Sequence, residues 1–374
     1  MQADGDRAVL LTGTTGLVGG DLLGRVLAAW PDATAYCLIR ARDAAHLEAR
    51  REALLDRIGI VDQADRVVAL AGDVSKPGLG LSEAEAGVAE RTAHVFHAAA
   101  ATRFDLPLAD ARALNVEGTR RVLDFARRAQ RAGSLERVHY VSTAYVAGDR
   151  AGVLDESAAD APGPFRNGYE QSKWEADRLV QDASGDLPAT CYRPSIIVGD
   201  SRTGATPHFR VLYDPMKWIL YGKIDILPCH PEVRVDIVPV DWACDAITAL
   251  ALDPRAEGRV LHVTSGPENA SCIGEILDLT AVAVNDYEAR HGLELSTKPR
   301  LVSPDDDSDP AVAALFEAGA KAMRTHLPYM LTEQLFDTAS SDALLEGAIP
   351  RCPALRDYLA TLIDYAMERR FGVR

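Results

Sequence analysis

The stretch that most restricts the fold is Thr12-Gly13-Thr14-Thr15-Gly16-Leu17-Val18-Gly19. It follows the apolar run Ala8-Val9-Leu10-Leu11 and precedes apolar positions at Leu22, Leu23, Val26, Leu27 and Trp30. The first run predicts a buried strand and the second the inward face of a helix. Between them, Gly13 permits a tight turn, Gly16 lets backbone approach a pyrophosphate, and Gly19 lets the helix pack on the strand. Strand, glycine turn and helix in this order predict a dinucleotide-binding unit. Further strands are expected at Thr34-Ala35-Tyr36-Cys37-Leu38-Ile39, Val67-Val68-Ala69-Leu70-Ala71, Ala93-His94-Val95-Phe96-His97, Val138-His139-Tyr140-Val141 and Ala189-Thr190-Cys191-Tyr192-Arg193. The expected fold class is therefore α/β, a doubly wound parallel sheet of the Rossmann type.

The end of the second strand bears on the cofactor. An NAD site wants an acid there for the ribose 2′-hydroxyl. This chain offers Arg40 and Arg42, then Arg50 and Arg51, whose guanidinium groups suit a 2′-phosphate. NADPH is the expected cofactor, although a solvated helix face accounts for some of these arginines. The expected binding set is Gly13, Thr15, Gly16, Leu17, Val18, Gly19, Arg40, Arg50, Asp73, Val74, Ala98, Ala99, Ala100, Lys173, Pro194, Ser195 and Ile196. Asp73 follows a strand end where it could meet the adenine, and the alanines let a cofactor lie close to the backbone.

Candidate catalytic groups gather at later strand ends. Ser142 and Thr143 close a strand where open α/β sheets bind ligands, and the spacing to Gly148 favours Thr143. In Asn167-Gly168-Tyr169-Glu170-Gln171-Ser172-Lys173-Trp174, helical spacing puts Tyr169 and Lys173 on one face. An ammonium beside a phenol favours the phenolate and draws its pKa toward a range useful for proton transfer. That spacing alone also fits a solvated Tyr–Lys pair, and the glycine turn and Thr143 decide for catalysis. Asn115, in Leu114-Asn115-Val116-Glu117-Gly118-Thr119, is expected at the start of an amphipathic helix.

Residues 1–199 are expected to form the NADP-binding domain, with 235–265 returning to it. A mostly helical substrate-binding domain is assigned to 200–234 and 266–374. Val235-Asp236-Ile237-Val238-Pro239-Val240 is expected to resume the sheet, and Pro304-Asp305-Asp306-Asp307-Ser308-Asp309-Pro310 to be a mobile loop. The six cysteines include no Cys-x-x-Cys pair, so buried free thiols are expected. His94 and His97 read as packed histidines, and no metal is expected. A net charge of −15 argues against nucleic acid as a partner. The polar N-terminus and the lack of a long apolar run argue against a leader and against membrane insertion, so a cytoplasmic location is expected. Arg120, Arg121, Arg127, Arg128 and Arg131 form a basic patch, ordinarily a solvated helix face and otherwise a docking surface for an acidic carrier.

Taken in order, Gly13-x-x-Gly16-x-x-Gly19, Gly72-Asp73, Asn115-Val116-x-Gly118-Thr119, Ser142-Thr143, Tyr169-x-x-x-Lys173 and Arg193-Pro194-Ser195 resemble the extended short-chain dehydrogenase/reductase family over nearly the whole chain. Within it, Cys37-Leu38-Ile39-Arg40-Ala41-Arg42 is similar to fatty acyl-CoA reductases and to the thioester-reductase domains of carboxylic acid reductases and peptide synthetases. The run from His97 through Thr102-Arg103-Phe104-Asp105 is similar to the acyl-CoA reductases, and Leu79-Gly80-Leu81-Ser82 and Asn167-Gly168-Tyr169 to the thioester-reductase domains. The resemblance implies reduction of an acyl thioester by NADPH to an aldehyde, with a second hydride giving the alcohol. It casts Tyr169 as proton donor to the oxyanion and Thr143 as the second donor. Lys173 would depress Tyr169 and hold the nicotinamide ribose, and Asn115 would support the Lys173 end of a proton relay. No fused adenylation or carrier domain is expected, so the acyl group is expected as a free thioester or on a separate acyl or peptidyl carrier protein. The alternatives are an NADP-dependent alcohol or ketone dehydrogenase of sterol or polyketide type, a sugar-nucleotide epimerase, and a non-catalytic NADPH-binding protein.

Overall fold

Alternation along the first strand sets the layers. Val9 and Leu11 bury against one face, Ala8 and Leu10 against the other, as a period of two requires. The computed structural model describes residues 7–220, 226–294, 296, 298–303 and 325–372. Seven strands form one sheet: β1 (Ala8–Thr12), β2 (Thr34–Ile39), β3 (Val67–Ala71), β4 (Thr92–His97), β5 (Arg137–Val141), β6 (Ala189–Pro194) and β7 (Val260–Val263). Their order is β3-β2-β1-β4-β5-β6-β7 and every pairing is parallel. The strand order reverses between β1 and β4, and a ligand crevice opens at that point in doubly wound sheets. This is the Rossmann arrangement.

One face is covered by α1 (Leu17–Ala29), α2 (Ala44–Ile58) and, later in the chain, Val240–Leu252. The other carries α3 (Leu108–Ala132) and α4 (Gly168–Ala183). Of the longer helices that follow, Val240–Leu252 is α5, Ile273–Arg290 is α6 and Leu355–Glu368 is α7. In α1, Leu22, Leu23, Val26 and Leu27 are buried, each worth roughly 1.5–3 kcal/mol relative to exposure. A separate core joins α6 and α7 through Ile276, Val284, Leu359, Leu362 and Ile363, and takes in Tyr213 and Met216.

Two expectations need correction. The run from Val235 to Val240 does not rejoin the large sheet. Arg234–Val235 enters a small four-stranded sheet, whereas Ile237–Pro239 pairs with Ile196–Val198. The break falls at Asp236, whose buried carboxylate accepts from the Ser195 hydroxyl and from the backbone N–H groups of Ser265 and Gly266. Asn115 does not open its helix, which begins at Leu108. Ser82 caps the short helix Glu83–Ala86 with a reciprocal Glu85 bond. The acidic stretch 304–310 lies outside the described residues. The small sheet also ties the C-terminal part of the chain to its middle, since Gln334–Phe336 runs parallel to Gly152–Leu154.

Candidate active site

Asn167 starts α4 by accepting a hydrogen bond from the Glu170 N–H at 3.0 Å, a strong N-cap. This start puts Tyr169 in the first turn and Lys173 one turn later. Lys173 is buried, and its ammonium donates to the Tyr140 hydroxyl at 2.8 Å and the Val141 carbonyl at 2.7 Å. Burial draws its pKa down to about 8, with Cys191 and Asp177 pulling the other way. Tyr169 lines the cleft. Burial pushes its hydroxyl up to about 12, opposed by the Thr143 side chain. The expected depression of Tyr169 by Lys173 is not seen: the hydroxyl is shifted upward, and two of the lysine's three donors are engaged on β5.

Thr143 lies on the same cleft as Tyr169 and Lys173. Its neighbour Ser142 instead donates to the buried Asp177 carboxylate. Burial would raise Asp177, but the bidentate Arg193 guanidinium, at 2.8 and 3.0 Å, holds it below the usual carboxylate range. The Arg193-Pro194-Ser195 motif thus supplies a buried ion pair beneath the site. Asn115 does not reach Lys173. Its amide accepts from the Ala101 N–H at 2.7 Å and donates to the Ser172 hydroxyl at 2.9 Å, fixing the alanine run against α4.

The cleft measures about 840 Å³ along the carboxyl ends of the strands. It brings together Gly13, Thr15, Gly16, Leu17, Val18, Gly19, Arg40, Asp73, Val74, residues 98–100, Thr143, Tyr169, Lys173, Pro194, Ser195 and Ile196. Arg50 is not on its wall; it donates to the Arg40 carbonyl at 2.6 Å and props that turn from outside. Asp73 accepts from the Ser75 N–H at 2.8 Å.

The glycine turn fits a pyrophosphate. Gly13 has φ +79°, and a Cβ there would sit 2.6 Å from the Ala99 nitrogen. A Cβ on Gly19 would sit 2.4 Å from the Gly13 oxygen. Gly16 caps α1 without a side-chain bond, and the first turn carries no acid, so the helix N–H groups are free for an anion.

Several supporting residues escaped sequence reasoning. Arg57 of α2 donates to the Thr14, Thr15 and Gly16 carbonyls at 2.9–3.2 Å and holds the turn in shape. Its spacing from the turn carries no local signal. His97 bridges Thr12 at 2.7 Å and Thr119 at 2.9 Å. Burial, aided by the Lys173 charge, drives His97 down to about 3, so it stays a neutral link between β1, β4 and α3. His94 contacts the His139 ring. Among the described residues no group of three His, Cys, Asp or Glu side chains could hold a metal, and no helix is long and apolar enough to cross a membrane. The six cysteines are free thiols, four of them buried.

Sheet order, glycine cradle and the Tyr169–Lys173 pair define a nicotinamide-dinucleotide-binding protein of the extended short-chain dehydrogenase/reductase type. The chain belongs to the male sterility protein family, whose model matches residues 11–247. It is 34% identical over 276 residues to the nonribosomal peptide synthetase FrzA of Cladobotryum sp, spanning 70% of this chain and 26% of the synthetase. The fatty acyl-CoA reductase wat of Drosophila melanogaster is 29% identical over 284 residues, 66% of this chain and 54% of that protein. This chain thus covers less than two thirds of either relative. The terminal R domain from the myxalamid PKS-NRPS biosynthetic pathway matches with a TM-score of 0.78 at 26% identity, covering 99% of this chain and 92% of that domain.

Proposed function

We propose that this chain reduces acyl thioesters to aldehydes with NADPH. The observation that carries the reading is the placement of Tyr169, Thr143 and Lys173 on the same cleft as the glycine cradle, in a chain related to peptide synthetases and a fatty acyl-CoA reductase. A bound nicotinamide supplies hydride to the thioester carbon. Tyr169 donates its proton to the carbonyl oxygen as charge develops there; the phenol is protonated at neutral pH, and burial strengthens that preference. Thr143 is the second donor to that oxygen. Lys173 places a buried positive charge one turn below and orients the ribose. The hemithioacetal loses thiol, so one acyl thioester, one NADPH and one proton give one aldehyde, one thiol and one NADP⁺. A second hydride gives the alcohol.

NADPH is favoured over NADH by Arg40, which follows β2 where an NAD site keeps an acid. The nearby Asp43 carboxylate is committed to capping α2 through the His46 N–H. We assign residues 1–199 and 235–265 to cofactor binding, and 200–234 and 266–374 to the acyl group, delivered on CoA or a carrier protein. The test is to supply acyl-CoA and carrier-bound acyl groups with NADPH and trap the product as a hydrazone. Aldehyde from either thioester supports the reading; turnover of ketones but of neither thioester overturns it.

A further inference from the structure

Beside the reacting groups, the cleft has an aromatic wall whose far member comes from the C-terminal part of the chain. Phe104 has its ring centre 5.7 Å from that of Tyr169 and 5.4 Å from that of Tyr329, on which it stacks. Tyr145 meets Tyr329 edge-on at 5.3 Å, and the Arg166 guanidinium lies over the Tyr329 ring at 4.9 Å. All of these aromatic side chains line the cleft.

The Tyr329 hydroxyl does not serve the cleft. It donates to Glu170 Oε1 at 2.6 Å and accepts from Asn167 Nδ2 at 2.8 Å. Those partners flank Tyr169 in the first turn of α4. Glu170 is fully buried and is itself fixed by Arg166, through the N–H at 2.9 Å and the guanidinium at 3.2 Å. With its one donor and an acceptor site engaged, Tyr329 presents ring carbon to the ligand. The same bonds tie that ring to the turn carrying the proton donor. Met330, Leu212, Met216, Ile276 and Leu277 continue an apolar lining from there.

We infer that Tyr329 is the acyl-positioning and size-selecting residue of this site. Its ring is the wall against which the acyl carbons next to the reacting carbonyl rest, and Asn167 and Glu170 hold that wall in register with Tyr169. The inference rests on the thioester-reductase reading. A residue of this kind selects among acyl groups without touching the dinucleotide.

The test compares Tyr329→Ala, Tyr329→Leu and Tyr329→Phe with the unmodified protein on straight and branched acyl-CoA thioesters, with NADPH affinity measured by fluorescence. Tyr329→Ala is expected to raise KM for short straight acyl groups about tenfold and move preference toward branched ones, leaving NADPH affinity unchanged. Tyr329→Phe is expected to keep the acyl preference and lose kcat several-fold, because the wall is no longer tied to α4. If Tyr329→Ala does not fold, Tyr329→Leu reads the same shift in preference. Equal losses on every acyl group together with weakened NADPH binding would mark a merely structural residue and overturn the inference, as would an unchanged preference. No thioester turnover by the unmodified protein would overturn the functional reading and this inference with it.

Discussion

The ammonium of Lys173 donates to the Tyr140 hydroxyl at 2.8 Å and lies 4.3 Å from the centre of that ring. The pair joins α4 to β5 in a place closed to water, which is why Lys173 falls from 10.5 to about 8. Between those values the unfolded chain holds a proton that the folded one has released. Stability contributed by Lys173 therefore rises with pH across that window, and the burial penalty is fully present below it. The shift corresponds to roughly 3 kcal/mol. Lys173→Met is expected to remove that rise, read as the difference in urea unfolding between the two proteins at about pH 7.5 and 9.5. Parallel pH dependences would contradict it.

Gly13 and Gly16 separate folding from binding. At Gly13 an added Cβ meets the Ala98 and Ala99 backbone within 2.8 Å at φ +79°. Gly16 has φ −83°, and its Cβ would meet only the Gly13 oxygen, at 3.2 Å. Gly13→Ala is expected to unfold at lower denaturant, a loss of at least ~1–3 kcal/mol. Gly16→Ala is expected to keep its thermal midpoint and lose NADPH affinity. Calorimetry and fluorescence titration read the two effects, and equal behaviour of the two variants would contradict the assignment.

Arg40 tests cofactor choice. Losing one guanidinium-to-phosphate contact is worth about 1.5–3 kcal/mol, so Arg40→Ala should raise KM for NADPH roughly ten- to a hundredfold and leave KM for NADH in place. Arg50→Ala should show a smaller effect of the same sign, since Arg50 acts through the Arg40 carbonyl. A native preference for NADH would contradict both.

The fold was legible where local chemistry demanded particular residues. The glycine turn needs a positive φ at Gly13, strands buried on both faces must be apolar, and Tyr169 and Lys173 fall at helical spacing, so β1 to β6 and the Tyr169 helix could be read directly. The supports of the site were less so. Tyr140 looks like any strand aromatic, and its role depends on Lys173, 33 residues away. Tyr329 meets Glu170 across 159 residues. Asn115 precedes an amphipathic run and so suggests a helix start, but its side chain serves Ala101 and Ser172 from within a helix that begins at Leu108. The 235–240 run is apolar enough for one strand, yet Asp236 splits it by drawing backbone donors from residues 265 and 266.

The central claim is that Tyr169 delivers a proton to a thioester carbonyl and a thiol then departs. The direct measurement follows NADPH absorbance and free thiol together on one acyl thioester, for the unmodified protein and Tyr169→Phe. The account predicts one thiol per NADPH when aldehyde is released, or one per two NADPH when alcohol forms. In Tyr169→Phe the rate of both should fall about 10²–10⁴-fold with NADPH affinity retained. NADPH consumption without any thiol, or a Tyr169→Phe variant as fast as the parent, would contradict it.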